Sequence, residues 1–154
     1  MARRPYVGGM TSTYTVTAHS QADPDVVFSV LVRAGTWPLW SPIDAAEVET
    51  GDPDDPQRAG DTRVFRTGRA VSRERIVELI AGRRFVYENV NGPFRYYQGT
   101  VDLARPREGG TDIVWSARFT PKVPLTGPFW RWYLTRFMRR MADGLAKHAE
   151  KSGN

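Results

Sequence analysis

Between Thr62 and Thr120 the chain is a succession of period-2 runs: Thr62–Thr67, Val71–Ile80, Arg84–Val90, Phe94–Ala104 and Thr111–Thr120. The breaks between most of them hold turn formers, namely Gly68, Ala81-Gly82, Asn91-Gly92-Pro93 and Glu108-Gly109-Gly110. Connections this short join antiparallel neighbours, because a parallel crossover needs about a dozen residues or more. An antiparallel meander follows. An earlier run from Ser12 to His19 sets Tyr14, Val16 and Ala18 against Thr13, Thr15 and Thr17, which adds a first strand and predicts six or seven in the sheet.

A sheet with one apolar face needs a cover, and the last segment supplies it. From about Thr126 to Lys151, Trp130, Tyr133, Leu134, Phe137, Met138, Met141, Leu145 and His148 recur at spacings of one, three and four. That pattern predicts one long amphipathic helix. Its other face is basic, with Arg131, Arg136, Arg139, Arg140, Lys147 and Lys151 against Asp143 and Glu150. A shorter helix opens at Asp23-Pro24, carries Val26, Val27, Val30 and Leu31, and is expected to stop at Gly35. Thr36 to Pro42 reads as a short helical turn whose Trp37 and Trp40 form either a hydrophobic plug under the first helices, the preferred reading, or part of a pocket mouth, and residues 51–60 read as an exposed loop. The fold class is therefore α+β, one domain over residues 12–150 behind a loose tail over 1–11. Met10 is an alternative start to Met1. The first ten residues lack the apolar stretch of a secretory signal, so a cytoplasmic location is expected.

Composition removes several chemistries. Cysteine is absent, which excludes disulfides, a thiolate nucleophile and cysteine-ligated metal, and the only histidines are His19 and His148, near opposite ends of the sequence. No metal and no cofactor are expected. Phosphate-binding loops, nucleophile elbows, metalloprotease motifs and dinucleotide fingerprints are absent. The net charge of +5 raises nucleic acid and anionic membranes as partners. The aromatic residues of the last helix are needed on its inner face and are not free to stack on bases, so nucleic acid is not expected. For its arginines, a solvated face with stems shielding apolar surface is preferred over membrane docking, so weak or no membrane contact is expected. The oligomeric state is left open.

Parity along the strands identifies the inner wall. Ile113, Trp115, Ala117 and Phe119 alternate with Asp112, Ser116, Arg118 and Thr120, so the odd positions face inward. Val101 and Leu103 set the same choice for their run, which carries Gly99, Tyr97 and Arg95 inward, and Phe85, Tyr87 and Asn89 follow by the same test. Polar groups in this row are informative, because a helix sealed onto a solid core wants aliphatics there. Val71–Ile80 stays ambiguous: Glu74, Ile76, Glu78 and Ile80 form one face, Arg73, Arg75, Val77 and Leu79 the other, and both carry charge.

These elements and several local strings resemble the START-like, or SRPBCC, superfamily and its polyketide cyclase/dehydrase branch. The strings are Asp23-Pro24-Asp25-Val26-Val27-Phe28, Thr36-Trp37-Pro38-Leu39-Trp40-Ser41-Pro42, and Arg73-Glu74-Arg75-Ile76-Val77-Glu78-Leu79 running on to Arg83-Arg84-Phe85-Val86-Tyr87. Tyr97-x-Gly99-x-Val101-x-Leu103 and Gly109-Gly110-Thr111-x-Ile113-x-Trp115-x-Ala117-x-Phe119 complete the likeness, over roughly residues 12–150. It implies a helix-grip fold, a curved antiparallel sheet wrapped around the C-terminal helix with a hydrophobic cavity between. The superfamily shares that cavity and no single catalytic motif.

The resulting expectation is a protein that binds a hydrophobic small molecule, such as a lipid, polyketide or isoprenoid. One alternative is a cofactor-independent aromatase/cyclase, in which a Tyr or Arg polarises a carbonyl and a carboxylate acts as base. The other is a lipid-binding protein that docks on anionic membranes. The candidate cavity residues are Glu74, Tyr87, Asn89, Tyr97, Trp115, Phe119, Phe137 and Met141; no catalytic residue is assigned. The simpler reading puts each tyrosine hydroxyl on a backbone carbonyl and the glutamates on a solvated outer face beside arginines.

Overall fold

A computed structural model describes residues 11–153. The tail expected over residues 1–11, and with it the choice between Met1 and Met10, lies outside the described residues except for Thr11. The elements are β1 (Ser12–Ser20), α1 (Pro24–Leu31), a 3-10 turn (Ala34–Thr36), α2 (Trp37–Trp40) and β2 (Ala45–Val48). They continue with β3 (Thr62–Thr67), β4 (Ala70–Ile80), β5 (Arg84–Asn89), β6 (Phe94–Ala104), β7 (Thr111–Pro121) and α3 (Gly127–Ser152). The strands form one sheet in the order β1-β7-β6-β5-β4-β3-β2, every pair antiparallel. β2 is the strand that periodicity did not reveal; its four residues are too few to show alternation.

The sheet curves around α3, which packs against β1, β7, α1 and α2. The inner row of β7 is fully enclosed, with Ile113, Trp115 and Phe119 at 0% exposure. Leu145, Ala142 and Ala149 of α3 meet Val27 and Leu31 of α1 in the same core. Small residues set that approach: a Cβ at Gly144 would collide with the backbone carbonyl of Trp40. α1 ends at Leu31, short of Gly35. Its last carbonyl accepts the Trp37 indole Nε1 at 3.1 Å and the Arg63 Nη1 at 2.7 Å, so side chains from two other elements close the helix.

Two β-bulges decide which side chains point inward. In β4 the register shifts between Ile76 and Glu78, so Glu74 pairs with Asn89 and Ile76 with Tyr87, whereas beyond the bulge it is Leu79 that faces Phe85. The inward parity changes from even to odd within one strand. This is why both faces of Val71–Ile80 read as mixed. In β6 the register shifts between Phe94 and Tyr96; Phe94 packs inward against Tyr97, Phe119 and Trp130, and Arg95 is exposed. The inward position expected for Arg95 is thereby corrected, since simple alternation does not survive the inserted residue.

Candidate functional site

A cavity of about 520 Å³ remains between the first half of α3 and strands β3 to β7. Its wall is mostly rings and aliphatic groups: Phe65, Phe94, Trp115, Trp130, Phe137 and Met141 are among them. Glu74, Tyr87, Asn89 and Tyr97 add polar atoms, and Val71, Phe129 and Tyr133, all partly exposed, stand at its mouth. Seven of the expected cavity residues, Glu74, Tyr87, Asn89, Tyr97, Trp115, Phe137 and Met141, lie on this wall. Phe119 does not. It is enclosed and packs against Tyr14, Phe94 and Tyr97, of which Phe94 and Tyr97 line the open space.

Glu74 is the one charged side chain on the wall among the described residues. The preferred expectation of a solvated outer glutamate is wrong for Glu74 and right for Glu78, which is exposed, because the bulge separates their faces. Although Glu74 as a residue is only half-buried, its Oε1 is closed off from solvent and has no hydrogen-bond partner. Burial pushes its carboxyl up to about 7, while the charge of Arg63 and the hydroxyl of Ser72 pull the other way. A carboxyl at that value exchanges its proton near neutral pH.

Arg63, directly opposite Glu74 in the β3–β4 ladder, is the residue that sequence reasoning missed. It is 0% exposed, and its guanidinium carbon lies 4.4 Å from the Trp37 ring centroid, 4.8 Å from that of Phe85 and 5.0 Å from that of Phe65. Rings on several sides supply cation–π attraction in place of water. Burial lowers its value to about 10, so it stays protonated at neutral pH. The signal was available: Arg63 shares the parity of Phe65, and a cation on the inner face of a strand marks a built environment.

Tyr87 and Tyr97 line the cavity, and Tyr14 is buried beside them. Tyr14 and Tyr97 share a hydroxyl–hydroxyl hydrogen bond of 2.5 Å, and the Trp115 indole donates to the Tyr87 hydroxyl at 3.0 Å. These hydroxyls therefore meet one another and an indole, not the backbone carbonyls expected of them. Burial raises Tyr87 to about 12 and holds Tyr14 and Tyr97 well above the ordinary phenol value, so all are neutral at physiological pH. Gly99, across from Tyr87 in the β5–β6 ladder, makes room for that ring; a Cβ there would overlap it. Trp37 and Trp40 pack on each other at 5.0 Å behind the wall and do not line the cavity. Among the described residues no group of three or more His, Asp or Glu is placed to hold a metal ion.

Solved structures share this fold. The protein XoxI from Bacillus cereus superposes with a TM-score of 0.73 at 17% identity, over 89% of this chain and 94% of that one. A START superfamily protein from Mycobacterium smegmatis does so with a TM-score of 0.74 at 13% identity, over 90% of this chain and 97% of that one. At such identities the likeness is one of fold. None of the curated proteins matches the sequence. The family model described as polyketide cyclase / dehydrase and lipid transport matches residues 11–150, nearly the whole chain with its sheet, cavity wall and covering helix. The chain thus belongs to the polyketide cyclase/dehydrase and lipid transport family of the START-like, or SRPBCC, superfamily.

Proposed function

We propose that the protein binds a hydrophobic small molecule of the lipid, polyketide or isoprenoid kind in the cavity beneath α3. The observation that carries this reading is the open space itself: about 520 Å³ left between large rings, with an apolar wall and a few convergent polar atoms. A core built only for stability closes such space, because unfilled volume forfeits packing energy. The test is titration with Nile red, a neutral dye that brightens in apolar surroundings. Saturable binding at one dye per chain is expected. Ala70 is exposed yet borders the cavity, so Ala70→Trp should obstruct entry and weaken binding without disturbing the core. Dye binding that is absent, or indifferent to this variant, contradicts the reading.

A cyclase-like reaction would use the same wall. Glu74, held near pH 7, suits removal of a proton next to a ketone, and the neutral hydroxyl of Tyr87 or Tyr97 suits donation to the carbonyl oxygen. Turnover of a short poly-β-ketone that falls on Glu74→Gln with dye binding retained would favour catalysis over binding alone.

Docking on an anionic bilayer has a separate support. Val123, Leu125, Phe129 and Trp132 are 62%, 95%, 55% and 59% exposed, and Leu125 is held at φ 69, a left-handed backbone unusual for leucine. Phe129 belongs to the cavity mouth, Arg136 lies 5.4 Å from the Trp132 ring, and Arg131, Arg139 and Arg140 are exposed nearby along α3. Aromatic rings beside arginines match the boundary between acyl chains and anionic headgroups. No helix among the described residues is long and apolar enough to cross a membrane. Co-sedimentation with phosphatidylglycerol vesicles, lost on Trp132→Ser with Leu125→Ser and absent with phosphatidylcholine, is the expected result; equal binding to neither or to both contradicts it.

A further inference from the structure

The mouth of the cavity is bordered by charge of one sign. Its exposed lining comes from three elements: Val71 at the β3–β4 hairpin, Gly92 and Pro93 in the β5–β6 turn, and Phe129 and Tyr133 on α3. Cations adjoin each of them. Arg69 precedes Ala70 in the β3–β4 turn, Arg95 follows Phe94, and the Lys122 backbone N–H donates to the Pro93 carbonyl at 2.8 Å. On α3, Arg136 and Arg140 stand three and seven residues beyond Tyr133, on the side of the helix that bears that ring. All five residues are exposed, and among the described residues none of them has an ion-pair partner within 4.0 Å. By contrast, Arg66 and Arg73 on β3 and β4 are paired, with Glu47 and Glu49. An acid does stand near the rim: Asp44, whose carboxylate accepts the Gly68 N–H at 2.7 Å.

Farther in, the sign reverses, since the charged side chain on the wall is Glu74. An ammonium ligand would meet repulsion at the rim. An anion carried to the interior would lose its hydration among rings and face Glu74, whereas at the rim it keeps water on one side and gains five cations on the other. Low-dielectric walls below the rim concentrate that field at the opening. The interior then receives an uncharged apolar body. We propose that the ligand is an anionic amphiphile, its apolar body in the cavity and its carboxylate or phosphate at the mouth among Arg69, Arg95, Lys122, Arg136 and Arg140. This rests on the binding reading above and narrows it to a class with one orientation.

The probes are 1-pyrenebutanoate, its methyl ester and 1-pyrenebutylammonium, titrated by fluorescence into the intact protein at about pH 6, where the alkyl carboxylate is ionised and Glu74 holds its proton. They share one ring system and spacer and differ in terminal charge. No bilayer is present, so the result is independent of membrane docking. The carboxylate should bind about threefold to tenfold more tightly than the ester, the scale of a few exposed charge pairs, and the ammonium more weakly than either. High ionic strength should shrink the preference. Arg136→Gln with Arg140→Gln, and separately Arg69→Gln with Arg95→Gln, should each lower the carboxylate-to-ester ratio, while Arg136→Lys with Arg140→Lys should keep it. Because the ester occupies the same space, the ratio cancels any change in the fold. Equal affinities for carboxylate and ester in the native chain, or a preference that survives both glutamine pairs, overturn the anionic class and leave the binding reading standing. Failure of all three probes to bind overturns both.

Discussion

Arg63 and Glu74 oppose each other across the β3–β4 ladder, both on the inner face, and do not form an ion pair. Arg63 is turned into a nest of Trp37, Phe65 and Phe85 and holds the end of α1 through the Leu31 carbonyl. Glu74 is turned to the cavity. The cation thus moderates the carboxyl through space without occupying its hydrogen-bonding positions, which leaves an ionisable acceptor in an apolar room.

Glu74 makes stability depend on pH in an unusual direction. Its folded value of about 7 lies above the ordinary 4.5, so the native state keeps the proton over the window between them. Its contribution is therefore full below about 4.5 and is lost as pH rises through 7, a difference on the order of 3 kcal/mol. Glu74→Gln removes the titration. Urea unfolding should find the variant and the native chain similar near pH 4.5 and the variant more stable at pH 8. A constant difference across that range would contradict the burial assigned to this carboxyl.

Removing the cation should move the same titration. Arg63 is the leading group holding the Glu74 value down against burial. Arg63→Met should raise the midpoint by about one pH unit, followed by carboxyl carbon NMR of Glu74. An unchanged midpoint in a folded variant would mean that the two charges do not sense each other.

Gly99→Ala tests the seat of the Tyr87 ring. The added methyl would overlap that ring, so the ring must shift and its contact with the Trp115 indole loosens. A loss of about 1–3 kcal/mol in thermal unfolding is expected, with a change in tryptophan fluorescence. A neutral result would place the ring elsewhere.

The sheet and α3 were legible because each obeys one period over many residues. Trp115, Tyr87 and Tyr97 fell on the inner face by parity alone. Parity failed where a bulge intervened, at Arg95 and in the ambiguous run around Glu74, because an inserted residue reverses the face without leaving a compositional mark. Phe119 shares the inner face with Trp115, yet only Trp115 reaches the cavity. Which ring borders the open space is a property of packing between strands, to which alternation within one strand is blind. Arg63 escaped notice for another reason. Its charge pointed outward by default, and only the rings contributed by Trp37, Phe65 and Phe85 make an inner site hospitable to it.

The central claim, an occupied apolar cavity, is tested most directly by native mass spectrometry of the protein isolated from its own host. The expected result is a non-covalent adduct of a hydrophobic molecule at one per chain, released on collisional heating and depleted in Ala70→Trp. Bare protein mass alone, from cells in which the native chain and the obstructed variant look the same, would contradict it.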